Sequence, residues 1–142
     1  MKIRKLVGAP IAAALACASI VLAAPMAHAA SSVVAGDGNT CVSYQTIVYY
    51  TDANYDGATF TVGACSGSYV VMSSLTPYSG WNDAISSFKS SSGKMQYAYQ
   101  DINYGGEVFN IGPNASVPNL ATHPMLSTTW DNQISSFKSY MV

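Results

Sequence analysis

Apolar and polar positions alternate in part over Thr46 to Thr51 and again over Met95 to Gln100, two runs of β-branched and aromatic residues. Each runs into a polar turn closed by glycine, Gly57 in the first case and Gly106 in the second. Such runs predict strands, and their glycine-closed turns predict hairpins. Ala58 to Val62 and Glu107 to Ile111 supply the returning strands, Ser68 to Ser73 and Ala115 to Asn119 are weaker third strands, and Ile85 to Ser90 and Ile134 to Tyr140 close each set. No stretch after residue 30 carries helical periodicity. Two sets of four short strands separated by Gly, Ser, Asn and Pro predict an all-β sandwich.

The second set repeats the first at a constant offset of 49 residues, so that Tyr50 falls on Tyr99 and Trp81 on Trp130. Residues 50–63 and 99–112 agree at seven of fourteen positions, sharing Tyr, Asp, Asn-Tyr, Gly, Phe and Gly. Residues 81–90 and 130–139 agree at seven of ten, sharing Trp, Ile-Ser-Ser-Phe-Lys and Ser. A repeat this regular means one supersecondary unit used twice, each copy unable to bury its apolar face alone. Any site built on it should come as a near-symmetric pair.

Residues 1–29 read as a signal peptide. Lys2, Arg4 and Lys5 precede an apolar run over residues 6–24, and Ala27-His28-Ala29 offers the small residues of a cleavage site. Residues 30–44 then form a loose N-terminal arm rich in Ser, Val, Gly, Asp and Asn, and residues 45–142 form one domain, with motif one at about 45–92 and motif two at about 93–142. Export implies a secreted, extracellular protein with no membrane attachment once the signal is removed. It also leaves Cys41 and Cys65 in an oxidising compartment, where a disulfide between them is the default expectation. After cleavage, three lysines face seven acids for a net charge of −4. Nucleic acid and anionic membrane are poor partners for a surface of that net charge, and neither is expected.

Five of the seven acids, Asp52, Asp56, Asp83, Asp101 and Asp131, fall in the hairpin turns and Asn/Asp pairs of the repeat. A Tyr, an Asp and Asn-Tyr-x-Gly at a hairpin, followed some twenty-five residues later by Trp, an Asn/Asp pair, two variable positions and Ser-Ser, resemble the Greek-key motif of the βγ-crystallins, above all the calcium-binding microbial members. The resemblance spans about residues 45–140 and both elements occur twice in order. It implies a βγ-crystallin-like sandwich of two four-stranded Greek-key motifs, with calcium stabilising the fold in a structural or stress-related role. Asn82-Asp83-Ala84-Ile85-Ser86-Ser87 and Asp131-Asn132-Gln133-Ile134-Ser135-Ser136 each satisfy the family's calcium pattern. The resemblance further implies that the copies exchange ligands. One ion would take Asn132, the backbone of Gln133, the Ser86 hydroxyl and the backbone of Asp52; the other would take Asp83, the backbone of Ala84, the Ser135 hydroxyl and the backbone of Asp101. Asn82 and Asp131 complete the paired turns.

Calcium chemistry suits these residue types. The ion takes six to eight oxygens in a forgiving geometry, so carboxylate, amide, hydroxyl and backbone oxygens can share one site. A carboxylate at Asp83 against a neutral amide at Asn132 predicts the stronger site at Asp83. Asp52-Ala-Asn54-Tyr-Asp56-Gly57 also matches the first half of an EF-hand loop, but Gly63 stands where that loop needs a bidentate Glu, and the flanks are strands by composition.

Other chemistry has less to stand on. His123 is the only histidine left after cleavage, and Pro124 beside it suggests an exposed loop, so neither a zinc site nor an activated serine is built by the sequence, and the protein is not expected to be an enzyme. Trp81 and Trp130 could stack on sugars, but their matching places before the Asn/Asp pairs favour core corners. Asn114-Ala115-Ser116 is a glycosylation sequon, meaningful only in a host that glycosylates. The same fold is also similar to small secreted inhibitors and killer-toxin-like antifungal proteins, which makes a protein or cell-wall partner the alternative. The loop from Asn114 to Thr129 is the place for such a contact, although Ala64 to Gly80 is its counterpart, one residue longer, and both read as part of the fold.

Overall fold

A computed structural model of the chain describes residues 32–36 and 44–141. The signal segment, Cys17, Asp37 and Cys41 lie outside the described residues. Every one of the eight strands expected from the pattern is present, with a ninth in front. They are β1 (Val33–Gly36), β2 (Tyr44–Asp52), β3 (Asp56–Cys65), β4 (Tyr69–Met72), β5 (Ser87–Ser90), β6 (Gln96–Tyr99), β7 (Val108–Ile111), β8 (Ser116–Val117) and β9 (Ser136–Tyr140). Three 3-10 turns, Ala53–Tyr55, Ile102–Tyr104 and Leu120–Thr122, complete the described secondary structure. No helix among the described residues is long and apolar enough to cross a membrane.

Part of the N-terminal arm is not loose. Val33–Gly36 pairs in parallel with β3, placing Val33 beside Phe60 and Ala35 beside Val62. Val33 and Ala35 pack on the core while Val34 points outward, 79% exposed. A single alternation inside a Gly- and Asp-rich stretch is too short a signal to read as a strand; the edge of β3 supplies the missing partner.

The two sheets have the orders β1-β3-β2-β5-β8 and β4-β9-β6-β7. Motif one therefore sends its third strand, β4, to pair with β9 of motif two, and motif two sends β8 to pair with β5 of motif one. This exchange makes each Greek key depend on the other, which is why neither copy can bury its apolar face alone. The third strands do not keep the 49-residue offset. Met72 sits opposite Phe137 whereas Val117 sits opposite Phe88, an offset of 45 residues, so motif two carries a longer connection after its third strand. The constant 49-residue offset of the segments on either side hides that shift from the sequence.

Between the sheets lies one core. Tyr49, Phe60, Val62, Leu75, Trp81, Ile85, Phe88, Ile134 and Phe137 are all fully buried, and Trp130 is 3% exposed. Phe60 meets Trp81 edge-on at 5.2 Å between ring centroids, and Phe109 meets Trp130 the same way at 5.3 Å. Edge-to-face packing of this kind adds to simple burial. The tryptophans are thus core corners in both copies and leave no indole face for a sugar. Burial also pushes the Tyr49 phenol well above its ordinary range, the nearby Ser139 hydroxyl offsetting this only in part.

Cys65 ends β3. His123 differs from expectation. It is half-buried and rests edge-on against Phe109 at 5.3 Å, because a bridge between Pro124 and Thr129 folds its loop back over β7.

Candidate metal centre

Each hairpin turn is built by residues that tolerate a left-handed backbone. Asn54 and Tyr55 have φ of 62° and 65°, and Asn103 and Tyr104 have 56° and 63°. Gly57 and Gly106 follow at 80° and 70°, where a side chain would be strained and would meet Asp52 or Asp101. Asp56 serves the turn itself, its carboxylate accepting from the Gly57 N–H at 2.8 Å. The EF-hand match of residues 52–57 thus lies in a strand-flanked hairpin, as its composition indicated.

The second serine of each Ser-Ser pair fixes that hairpin. Ser87 donates to the Asp52 carbonyl at 2.6 Å and accepts from the Tyr55 N–H at 3.1 Å. Ser136 does the same to Asp101 at 2.6 Å and Tyr104 at 3.1 Å. A cation–π contact reinforces each one, with Lys89 Nζ 4.0 Å from the Tyr55 ring centroid and Lys138 Nζ 4.2 Å from that of Tyr104. Sequence reasoning gave Ser87 and Ser136 no role; their recurrence beside Ser86 and Ser135 was the available signal. The Asp52 and Asp101 carbonyls keep a second lone pair beyond the serine bond.

The first serine of each pair crosses to the other copy. Ser135 Oγ donates to Asp83 Oδ1 at 2.6 Å, and Ser86 Oγ donates to Asn132 Oδ1 at 3.4 Å. Backbone bonds join the same turns, from the Asp83 N–H to the Ile134 carbonyl at 3.2 Å and from the Asn132 N–H to the Ile85 carbonyl at 3.0 Å. Asp83 and Asn132 adopt φ of 53° and 55°, which turns their side chains off the strands they precede. Both are exposed, whereas Ser86 and Ser135 are 7% and 5% exposed. Each arrangement is an open carboxylate or amide over a buried hydroxyl.

The backbone of Asp52 is held by Ser87, next to Ser86, and that of Asp101 by Ser136, next to Ser135. Ala84 and Gln133 directly follow the Asp83 and Asn132 turns, and the Gln133 side chain donates to the Asn132 carbonyl at 2.9 Å. Asn82 and Asp131 support their neighbours. Asn82 Nδ2 donates to Asp83 Oδ2 at 2.6 Å, and Asn132 Nδ2 donates to Asp131 Oδ2 at 3.1 Å. The ten residues singled out in the sequence thus fall into two matching groups, each drawing on both copies.

A hard cation suits this donor set. Every candidate ligand is an oxygen, with one carboxylate at most aimed into each group, and no cluster of three or more His, Cys, Asp or Glu occurs among the described residues. Asn82 Oδ1 is buried without a hydrogen-bond partner beside the Asp83 carboxylate. A buried oxygen in that state is costly unless a cation or water meets it, so the residues fit an ion there.

No protein-family model matches this sequence, and no curated protein does. Among solved structures, a βγ-crystallin domain from work on the evolution of the eye-lens fold superposes with a TM-score of 0.56 at 18% identity, covering 73% of this chain and 94% of that one. A βγ-crystallin from Ciona intestinalis matches with a TM-score of 0.50 at 22% identity, over 66% of this chain and 98% of the other. The N-terminal domain of protein S gives 0.50 at 18% identity, over 68% and 97%. Taken with the interlocked Greek keys and their paired turns, these likenesses make the chain a protein of the βγ-crystallin fold.

Proposed function

We propose that this protein is secreted and binds calcium at the two paired turns, the ions stabilising its own fold in a non-catalytic, structural or stress-related role outside the cell. The observation that carries this is the crossed contact of Ser135 with Asp83 at 2.6 Å and of Ser86 with Asn132 at 3.4 Å. Each ion would be gripped by Asp83 or Asn132 together with the serine of the other copy, the Ala84 or Gln133 backbone, and the Asp101 or Asp52 carbonyl. Calcium supplies positive charge between oxygens that otherwise face one another with a single proton. The shorter contact and the carboxylate both favour Asp83 as the tighter site. The basic, apolar and small-residue order of residues 1–29 supports export.

Neighbouring sequence positions should therefore serve different ions. Ser86→Ala is expected to weaken the site at Asn132, and Asp83→Ala the site at Asp83 itself, the loss being smaller for the hydroxyl than for the carboxylate. Calcium titrations of both variants followed by residue-resolved NMR shifts test this. If both substitutions disturb one ion and spare the other, the exchange of ligands is wrong.

Export also supports pairing of Cys65 with Cys41, which would close a loop of about 25 residues and stabilise by roughly 3 kcal/mol. Non-reducing peptide mapping of secreted protein should return the 41–65 pair. Recovery of Cys41 as an alkylated thiol would remove it.

One observation favours a second reading, a small secreted inhibitor. The longer connection after β8 presents Leu126 at 94% exposure between Pro124 and Thr129, which are themselves paired. The Met125 N–H donates to the Thr128 carbonyl at 2.9 Å, and the Leu126 N–H to the Glu107 carboxylate at 3.0 Å. An apolar side chain held out on a braced loop is what a hydrophobic protease pocket accepts. On this reading the protein slows a secreted endopeptidase of leucine-type specificity, and Leu126→Asp abolishes the effect while leaving calcium binding unchanged. Intact-substrate assays with and without the variant decide it; equal potency of the two excludes the loop.

A further inference from the structure

We propose that the outer face of the β4-β9-β6 sheet binds an acidic polysaccharide, its sugar rings lying against Tyr69, Tyr97 and Tyr140 and a carboxylate meeting Lys94. These residues, with Gly67, Ser68, Met95 and Met141, line a groove of about 620 Å³. Tyr140 stands at its centre, 6.3 Å from the Tyr69 ring and 6.2 Å from the Tyr97 ring, the latter at 85° to it. Tyr69 is 62% exposed and Tyr140 and Met95 are each 40% exposed, so none of the three is there to fill the core.

The duplication makes this face unusual. At the equivalent end of the other sheet, the repeat places Val48 where Tyr97 stands and Ser91 where Tyr140 stands. Continuing the β5–β8 register by two residues puts Asn114 in the place of Tyr69. The same backbone is therefore made with no aromatic residue at any of the three positions. Two exposed tyrosines, Tyr69 and Tyr140, and the half-buried Tyr97 on one sheet only are an addition to the fold, and a contiguous aromatic surface open to solvent marks a binding site.

Shape and charge select the occupant. An extended chain fits an open groove a few side chains across, whereas a stable contact with a folded protein needs about 800 Å² from each partner. Pyranose rings offer apolar C–H faces to tyrosine rings and hydroxyls to their phenols. Among the described residues Lys94 lines the groove and no acid does. Asp101 and Asp83 lie at the far ends of the same strands: β6 leaves the groove at Tyr97 and runs to the hairpin at Asp101, and β9 begins beside the Ser135–Asp83 contact and ends at Tyr140. Four or five strand residues put those carboxylates about 15 Å away. A ligand carrying negative charge is thus drawn to the lysine end of the sheet.

The test uses the mature protein at fixed free calcium, with a hyaluronan hexasaccharide as acidic probe and chitohexaose as neutral control. Hyaluronan should shift the amide resonances of Lys94, Tyr69, Tyr97 and Tyr140, and chitohexaose should bind at least tenfold more weakly. Tyr69→Ala and Tyr97→Ala should each weaken hyaluronan binding about tenfold, and Lys94→Ala should abolish the preference for the acidic chain. Val48→Ala, on the other sheet, should change nothing, and unchanged calcium-dependent melting will show that the variants fold. The proposal is overturned by the absence of shifts at millimolar sugar, by shifts confined to another face, or by equal binding of both sugars. It is equally overturned if the same resonances move with protein concentration alone, which would make a second copy the occupant.

Discussion

A hundredfold excess of calcium over its Kd should raise the melting temperature of the mature protein by about 10 °C relative to chelator, for each site filled. An ion that binds only the folded state adds RT ln(1 + [L]/Kd), about 2.7 kcal/mol at that excess. A domain of this size melts about 4 °C higher per kcal/mol. The ion would be specific to the folded state because its ligands come from both copies: Asp83 meets Ser135, and Asn132 meets Ser86, only once the Greek keys interlock. Asp83→Ala should remove the larger part of the shift, since it deletes the one carboxylate aimed at that group. Thermal scans of both proteins in calcium and in chelator measure it. Coincident melting of the unsubstituted protein under the two conditions would sink the calcium reading.

Replacing Trp81 by alanine should cost about 3–5 kcal/mol, an effect larger than that of calcium. The indole is fully buried and packs edge-on against Phe60, which in turn meets Tyr78 at 5.0 Å and Phe137 at 5.9 Å. Its loss leaves a cavity at the point where the two motifs join, and neighbours fixed in opposite sheets cannot collapse into it. Trp81 also immediately precedes Asn82 and Asp83, so the calcium affinity of that turn should fall along with stability. Urea denaturation should show a lower midpoint with an unchanged slope. A loss under 1 kcal/mol would mean the corner is not held by packing. Trp130→Ala, the same replacement in copy two, should act similarly, because Trp130 packs on Phe109 in the same geometry.

The strands and hairpins were legible because their causes are local. Tyr50 to Gly57 and Tyr99 to Gly106 carry their own turn chemistry, with Asn and Gly at the positions that must be left-handed. The candidate metal residues were legible for a different reason. Their spacing recurs at a fixed offset, and a constraint met twice in one chain stands out from ordinary turn composition. His123 shows where this fails. Its exposure could not be read from the proline beside it, since that depends on where the loop closes, at the Pro124–Thr129 bridge.

What the sequence by itself determined is thus the set of eight strands, the twofold plan and the residues of the paired turns, all of which follow from side-chain period, turn preference and internal repetition. Only the tertiary structure decided which sheet each strand joins, that Val33–Gly36 pairs with β3, and that β8 slips four residues out of register. It also decided that Ser87 and Ser136 brace the hairpins while Ser86 and Ser135 face the opposite copy. The physical reason is that strand partnership has no local signature. An edge of unpaired N–H and C=O groups accepts any extended segment of fitting face, so the choice among partners is made by burial of the common core, which exists only after the two motifs have interlocked.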